Sequence, residues 1–160
     1  MPALTTIGVY GFAADEFVAR LLEARVTLLL DVRQRRGVRG TEYAWANSQR
    51  LQRALAEADI AYRHLPALAP TTELRQLQYA ADDERGVGKR NRDVLAPGYV
   101  EGYTRQILDH ADLDAVAALL PEKGSAALFC VERDAEACHR SLIAARMAER
   151  YGVEVEHLRP

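Results

Sequence analysis

Two continuous apolar runs constrain this chain more than any other feature: Val26–Val32 (VTLLLDV) and Ser125–Val131 (SAALFCV). Both are of strand length and lack polar–apolar alternation, the pattern of a strand covered on both faces. Such strands belong to parallel sheets, where crossover helices pack on either side. The segments between and around the two runs fit that arrangement.

Leu4–Tyr10 reads as a β-branched strand closed by Gly11. Ala14–Arg25 follows as a helix, with Phe17, Val18, Leu21 and Leu22 on one face. A polar loop after Val32 leads to a helix over Asn47–Ala58, capped by Asn47 or Ser48. Ile60–Leu65 is the third strand, ended by Pro66. Thr71 or Thr72 caps a helix running to Asp83, and 83–98 reads as a long exposed loop. Tyr99–Leu120 is helical with a break near His110–Asp112, and Pro121 and Gly124 end it. Ala135–Tyr151 is the best-patterned helix, stopped by Gly152, and Val153–Leu158 is the last strand. The reading is an α/β fold: a single domain over residues 1–160 with a mainly parallel sheet of about five strands and helices on both faces.

The balance of charge excludes some functions. A net charge of −2 gives no reason to expect the whole surface to bind nucleic acid or a membrane. No apolar run approaches the roughly 20 residues that span a bilayer. The opening MPALTTIGVYGF lacks the pattern of a signal peptide, and two cysteines make no secreted disulfide framework, so the expected location is cytoplasmic with both thiols reduced.

Ligands of parallel sheets bind beyond the carboxyl ends of the strands, which directs attention to the loops after Tyr10, Val32, Leu65 and Val131. After Val32, Arg33, Arg35, Arg36 and Arg39 surround Gly37, a composition suited to phosphate or sulfate. Asp31 is placed to hold one of these arginines. Tyr43 and Trp45 either stack on a base or pack down on the core. His64 ends the third strand at the same sheet edge. The second basic run, Arg85 to Arg92, reads as a solvated loop.

The stretch Phe129–Ser141 (FCVERDAEACHRS) holds both cysteines. Asp134 has the type and place to cap the helix, putting Ala135 at its first position and Cys138 near the end of the first turn. There the helix dipole, Arg133 and Arg140 favour thiolate, the nucleophilic form. At 100° per residue, Cys138, His139 and Arg140 cannot all face one atom, and His139 shares the core face with Ile143 and Met147. Cys130 ends a buried strand; a Cys130–Cys138 redox pair needs the two sulfurs to meet. Cys130, Cys138 and His139 give only three metal ligands at no standard zinc spacing, so neither a metal nor any other cofactor is expected.

These residues carry a resemblance. Cys130-Val-Glu132-Arg-Asp134-Ala-Glu-Ala-Cys138-His139-Arg140-Ser resembles the C-A-E-x-D-P-x-x-C-H-R-S signature of the domain of unknown function 488 family. T-I-G at Thr6–Gly8, L-L-D-V-R at Leu29–Arg33 and Y-R-H-L-P at Tyr62–Pro66 are similar to further family segments in the same order. The chain departs from the pattern at Val131, at Ala135 and at Ala69-Pro70. The resemblance implies an α/β fold and a site at the terminal motif, without a reaction. A more distant likeness is to rhodanese domains, which also carry D-V-R after a buried strand and a thiol before a helix. Glu132 in the corresponding loop would repel an anion, which argues against simple sulfur transfer or phosphatase chemistry.

The resulting expectation is a small enzyme. Cys138 is the nucleophile and Glu132 or His139 the acid/base. Arg140, Arg33, Asp31, Arg39, His64, Cys130 and Tyr43 bind a substrate that carries an anion. An anionic small molecule, a nucleotide or a nucleic acid all fit; a membrane does not. The competing class is a binding module in which the arginines with Tyr43 and Trp45 hold nucleotide or single strands and the Cys-His-Arg motif is scaffold.

Overall fold

The computed structural model describes residues 3–160. Five parallel strands form one sheet in the order β3-β2-β4-β1-β5. They are β1 (Leu4–Ile7), β2 (Val26–Asp31), β3 (Ala61–His64), β4 (Ser125–Phe129) and β5 (Val155–His157). The two apolar runs are neighbours in the middle of the sheet, and β4 is buried at every position, as its unbroken apolarity requires. The α/β fold with a five-stranded parallel sheet is therefore as the sequence predicts.

Six helices complete the layers: α1 (Ala14–Glu23), α2 (Ser48–Glu57), α3 (Thr72–Arg85), α4 (Pro97–Gln106), α5 (Leu113–Leu119) and α6 (His139–Tyr151). Connections through α1 and α2 run toward β3, whereas those through α3 to α6 run toward β5. Right-handed crossovers in opposite directions must use opposite faces. Hence α1 and α2 cover one face and α3 to α6 the other. Among the described residues, no helix is long and apolar enough to cross a membrane.

Register positions the site. Asp31 pairs with His64 on one side and Phe129 on the other, and Phe129 pairs with Ile7. Four strands therefore end on one rung. Beyond it, the chain leaving β2 turns toward β3 while the chain leaving β4 turns toward β5. Adjacent strands with diverging connections open the crevice in which parallel sheets bind ligands.

Two local expectations are corrected. Asp134 does not start the last helix: Ala135–Ala137 is a single 3-10 turn, and α6 begins at His139 with Cys138 as its N-cap in extended conformation (φ −138°, ψ 146°). The Asp134 carboxylate is instead held by the Arg159 guanidinium at 2.6 Å, which removes it from capping. The segment 83–98 is not a uniformly exposed loop either. It is exposed at Asp93 and Val94, but Arg92 is buried, because Asp82 and Glu132 supply counter-charges in the interior.

Candidate functional site

The crevice beyond β2 and β4 is a cleft of about 1230 Å³. Cys130, Cys138 and His139 form its floor. Cys130 arrives directly from the end of β4; Cys138 and His139 arrive after the loop and the 3-10 turn. That turn brings Cys138 back over the strand end, so both sulfurs and the imidazole Nδ1 lie within 4.8 Å of one another. The Cys138 Sγ is 3.7 Å and the Cys130 Sγ 3.8 Å from His139 Nδ1.

The opposite ring nitrogen decides the tautomer. His139 Nε2 is 2.8 Å from the Val32 carbonyl oxygen, which only accepts, so Nε2 carries a proton. In the neutral ring Nδ1 is then an acceptor facing the two thiols. Burial works against charge at both Cys138 and His139. At Cys138 the Cys130 hydrogen bond, the His139 ring and Arg140 outweigh it, leaving the thiol well below its ordinary value. The Cys138 sulfur likewise raises His139. The hydrogen bond to Cys138, together with burial, pushes Cys130 well above its ordinary value. The two thiols therefore divide: Cys138 favours thiolate and Cys130 stays protonated.

Glu132 is buried beside them. Its Oε1 accepts from Arg92 Nη1 at 3.1 Å, while Oε2 has no hydrogen-bond partner. Burial, then the Cys138 sulfur, raise its pKa against the opposing pull of Lys89 and Arg92. Burial would depress Lys89, but Glu132 and Tyr79 prevail and raise it, so it stays cationic. Arg35, Arg39, Arg75 and Arg90 also line the cleft, and Glu132 is the one carboxylate among the lining residues.

Of the residues expected from sequence, Cys138, His139, Glu132, Cys130, Arg33 and Arg39 line this cleft; Arg140, Asp31, His64 and Tyr43 do not. The buried Arg33 guanidinium forms a two-pronged pair with Asp31 (2.9 Å at each oxygen) and donates to the Ala46 carbonyl. The Tyr62 hydroxyl donates to Asp31, and His64 Nε2 lies 3.0 Å from the Arg33 carbonyl. Arg140 is fully buried and donates to the Glu132 and Arg133 carbonyls at 2.7 and 3.2 Å, clamping the loop between the cysteines. Tyr43 packs on Tyr10 and accepts from the Gly11 N–H; Trp45 packs on Phe17. Asp31, His64, Arg140, Tyr43 and Trp45 hold the strand-end loops rather than line the cleft, and Arg33 does both.

Arg92, Lys89 and Asp82 are the contributors that sequence reasoning missed. Their segment is polar and carries no periodicity, and nothing local distinguishes a buried arginine from a solvated one. The conjunction of Asp82 and Arg92 with the solitary Glu132 becomes visible only when α3 and the following loop lie over β4.

The fold and site together define a parallel α/β protein with a cysteine–histidine pocket at its topological switch point. The family model described as Domain of unknown function DUF488 matches residues 13–147, and the chain belongs to that family. A search of curated proteins and a search of solved structures each returned no match.

Proposed function

We propose that this chain is an enzyme in which Cys138 attacks an electrophilic centre on an anionic substrate. One observation carries the reading: the Cys138 sulfur sits 3.7 Å from an imidazole nitrogen whose partner nitrogen is committed to a main-chain carbonyl. That arrangement, at the floor of an open cleft, is the geometry of an activated nucleophile, with the base oriented by a third group. His139 Nδ1 takes the thiol proton. Glu132, with one oxygen on Arg92 and the other unpartnered, is the second acid/base.

The walls select the substrate. Cations outnumber the single carboxylate, and that carboxylate is already paired, so the cleft favours phosphate- or sulfate-bearing molecules, nucleotides included. The binding-module reading needs aromatic faces free to stack on bases. Tyr43 and Trp45 are packed against Tyr10 and Phe17, which favours the enzyme. A cytoplasmic setting suits the two free thiols.

Alkylation of the metal-free chain tests this. Iodoacetate, which is anionic, is expected to modify Cys138 faster than neutral iodoacetamide does. Phosphate or a nucleotide should protect it, and Cys138→Ser should abolish the effect. Slow labelling without preference for the anion would overturn the reading.

A further inference from the structure

The same three donors lie closer together than their spacing in the sequence suggests. The geometry points to a zinc-class cation site formed by Cys130 Sγ, Cys138 Sγ and His139 Nδ1, with its open coordination position facing the cleft. It goes beyond the nucleophile reading and does not depend on it.

Distances carry the argument. Bonds of about 2.3 Å to sulfur and about 2.0–2.1 Å to nitrogen put S and N ligands of tetrahedral zinc about 3.6 Å apart. The two observed sulfur–nitrogen separations are 3.8 and 3.7 Å, and all three donors lie within 4.8 Å of one another. Closing that triangle around an ion needs small side-chain shifts and no movement of the sheet.

The donors are also prepared as ligands. Metal-bound histidines donate their free N–H to a carbonyl or carboxylate, which fixes the ring and its tautomer. His139 does so to Val32, leaving Nδ1 for the ion. Two thiolates and a neutral imidazole around a dication carry no net charge, which relieves the cost of holding thiolate in a buried place. Sulfur and nitrogen donors favour a thiophilic ion over magnesium or calcium.

Three protein ligands with the fourth side open is the arrangement of zinc sites that bind a substrate or water. Here the fourth side is the basic cleft, lined also by Glu132, whose Oε2 is buried and unpartnered. An anion drawn in by Lys89 and the arginines would meet the cation at the floor.

Cobalt(II) titration of the chelator-treated full chain, followed by zinc, reads the site directly. One equivalent of cobalt should produce thiolate-to-metal charge-transfer absorption and the intense visible bands of tetrahedral coordination; zinc should displace both. Cys130→Ser and Cys138→Ser should each weaken or shift the spectrum, and their double variant should abolish it. No band at one equivalent, or a band that survives in the double variant, overturns the site. Because alkylation is tested without metal, the two proposals fail separately. Anion-favoured labelling with no cobalt band removes only the metal, whereas a cobalt band without such labelling removes only the nucleophile.

Discussion

Arg92 Nη1 lies 3.1 Å from Glu132 Oε1 while the same guanidinium is paired with Asp82 at 2.8 Å. One buried cation thus joins α3 to the loop that follows β4. It also donates to the Ala137 carbonyl, at the turn that delivers Cys138. The polar segment after α3 is therefore a structural wall of the cleft.

Replacing Arg92 should be costly. Arg92→Met would leave Asp82 and Glu132 buried without their cation, and breaking a buried pair on one side costs about 3–5 kcal/mol. Urea denaturation measures it. Adding Asp82→Asn and Glu132→Gln should recover part of the loss; a single variant as stable as the parent would show that the pair contributes little.

Gly8 is needed for the room it leaves. A Cβ there would sit 1.9 Å from the Glu132 carbonyl oxygen and 2.8 Å from its carbon. Gly8→Ala must push the loop away from β1 and strain its Arg140 clamp. Overpacking of this kind costs about 1–3 kcal/mol. Amide exchange at 130–138 should accelerate together with the fall in stability.

His157 should make the fold acid-sensitive. Burial, followed by the nearby Arg140 charge, lowers its pKa; its Nδ1 lies 2.8 Å from Thr6 Oγ1, which also accepts from Arg140. Below the ordinary histidine value of about 6.5 the unfolded chain binds a proton that the folded chain resists. Stability contributed by the neutral ring is thus present above that pH and is lost as pH falls toward the depressed folded value. For one group the slope is at most about 1.4 kcal/mol per pH unit. Denaturation of His157→Gln across this range should lack that component.

Lys89 should attract anions into the cleft without changing the intrinsic reactivity of the Cys138 thiol. Lys89→Gln removes a cation from the cleft wall. A partly solvated charge at this range contributes on the order of 0.5–1 kcal/mol, or about 2–5-fold in rate. The iodoacetate rate at Cys138 should fall by that factor while the iodoacetamide rate stays constant. Equal loss with both reagents would point to a structural role.

Much of the fold is legible locally. β2 and β4 announce themselves because a strand covered on both faces has no reason to alternate. The α6 face of His139, Ile143 and Met147 follows from helical periodicity, and all three are buried. The helix starts later than Asp134 suggests: Asp134 fits a cap locally, yet Arg159 from the far end of the chain claims its carboxylate. Arg33 and Arg140 stand out in sequence as anion ligands; Asp31, two residues away, pairs with Arg33 as the sequence suggests, whereas the Ala46, Glu132 and Arg133 carbonyls that complete their engagement come from farther along the chain.

The sequence by itself determined a parallel α/β sheet, the strand ends beyond which such sheets bind ligands, and the motif from Cys130 to Arg140. These rest on periodicity and residue type, which act over a few neighbouring residues. Tertiary structure alone decided which members of the motif meet. A 3-10 turn places Cys138 beside Cys130, the Val32 carbonyl orients His139, and Arg92 neutralises Glu132. Such contacts depend on the direction in which each segment returns to the sheet edge, and spacing along the chain does not encode that direction.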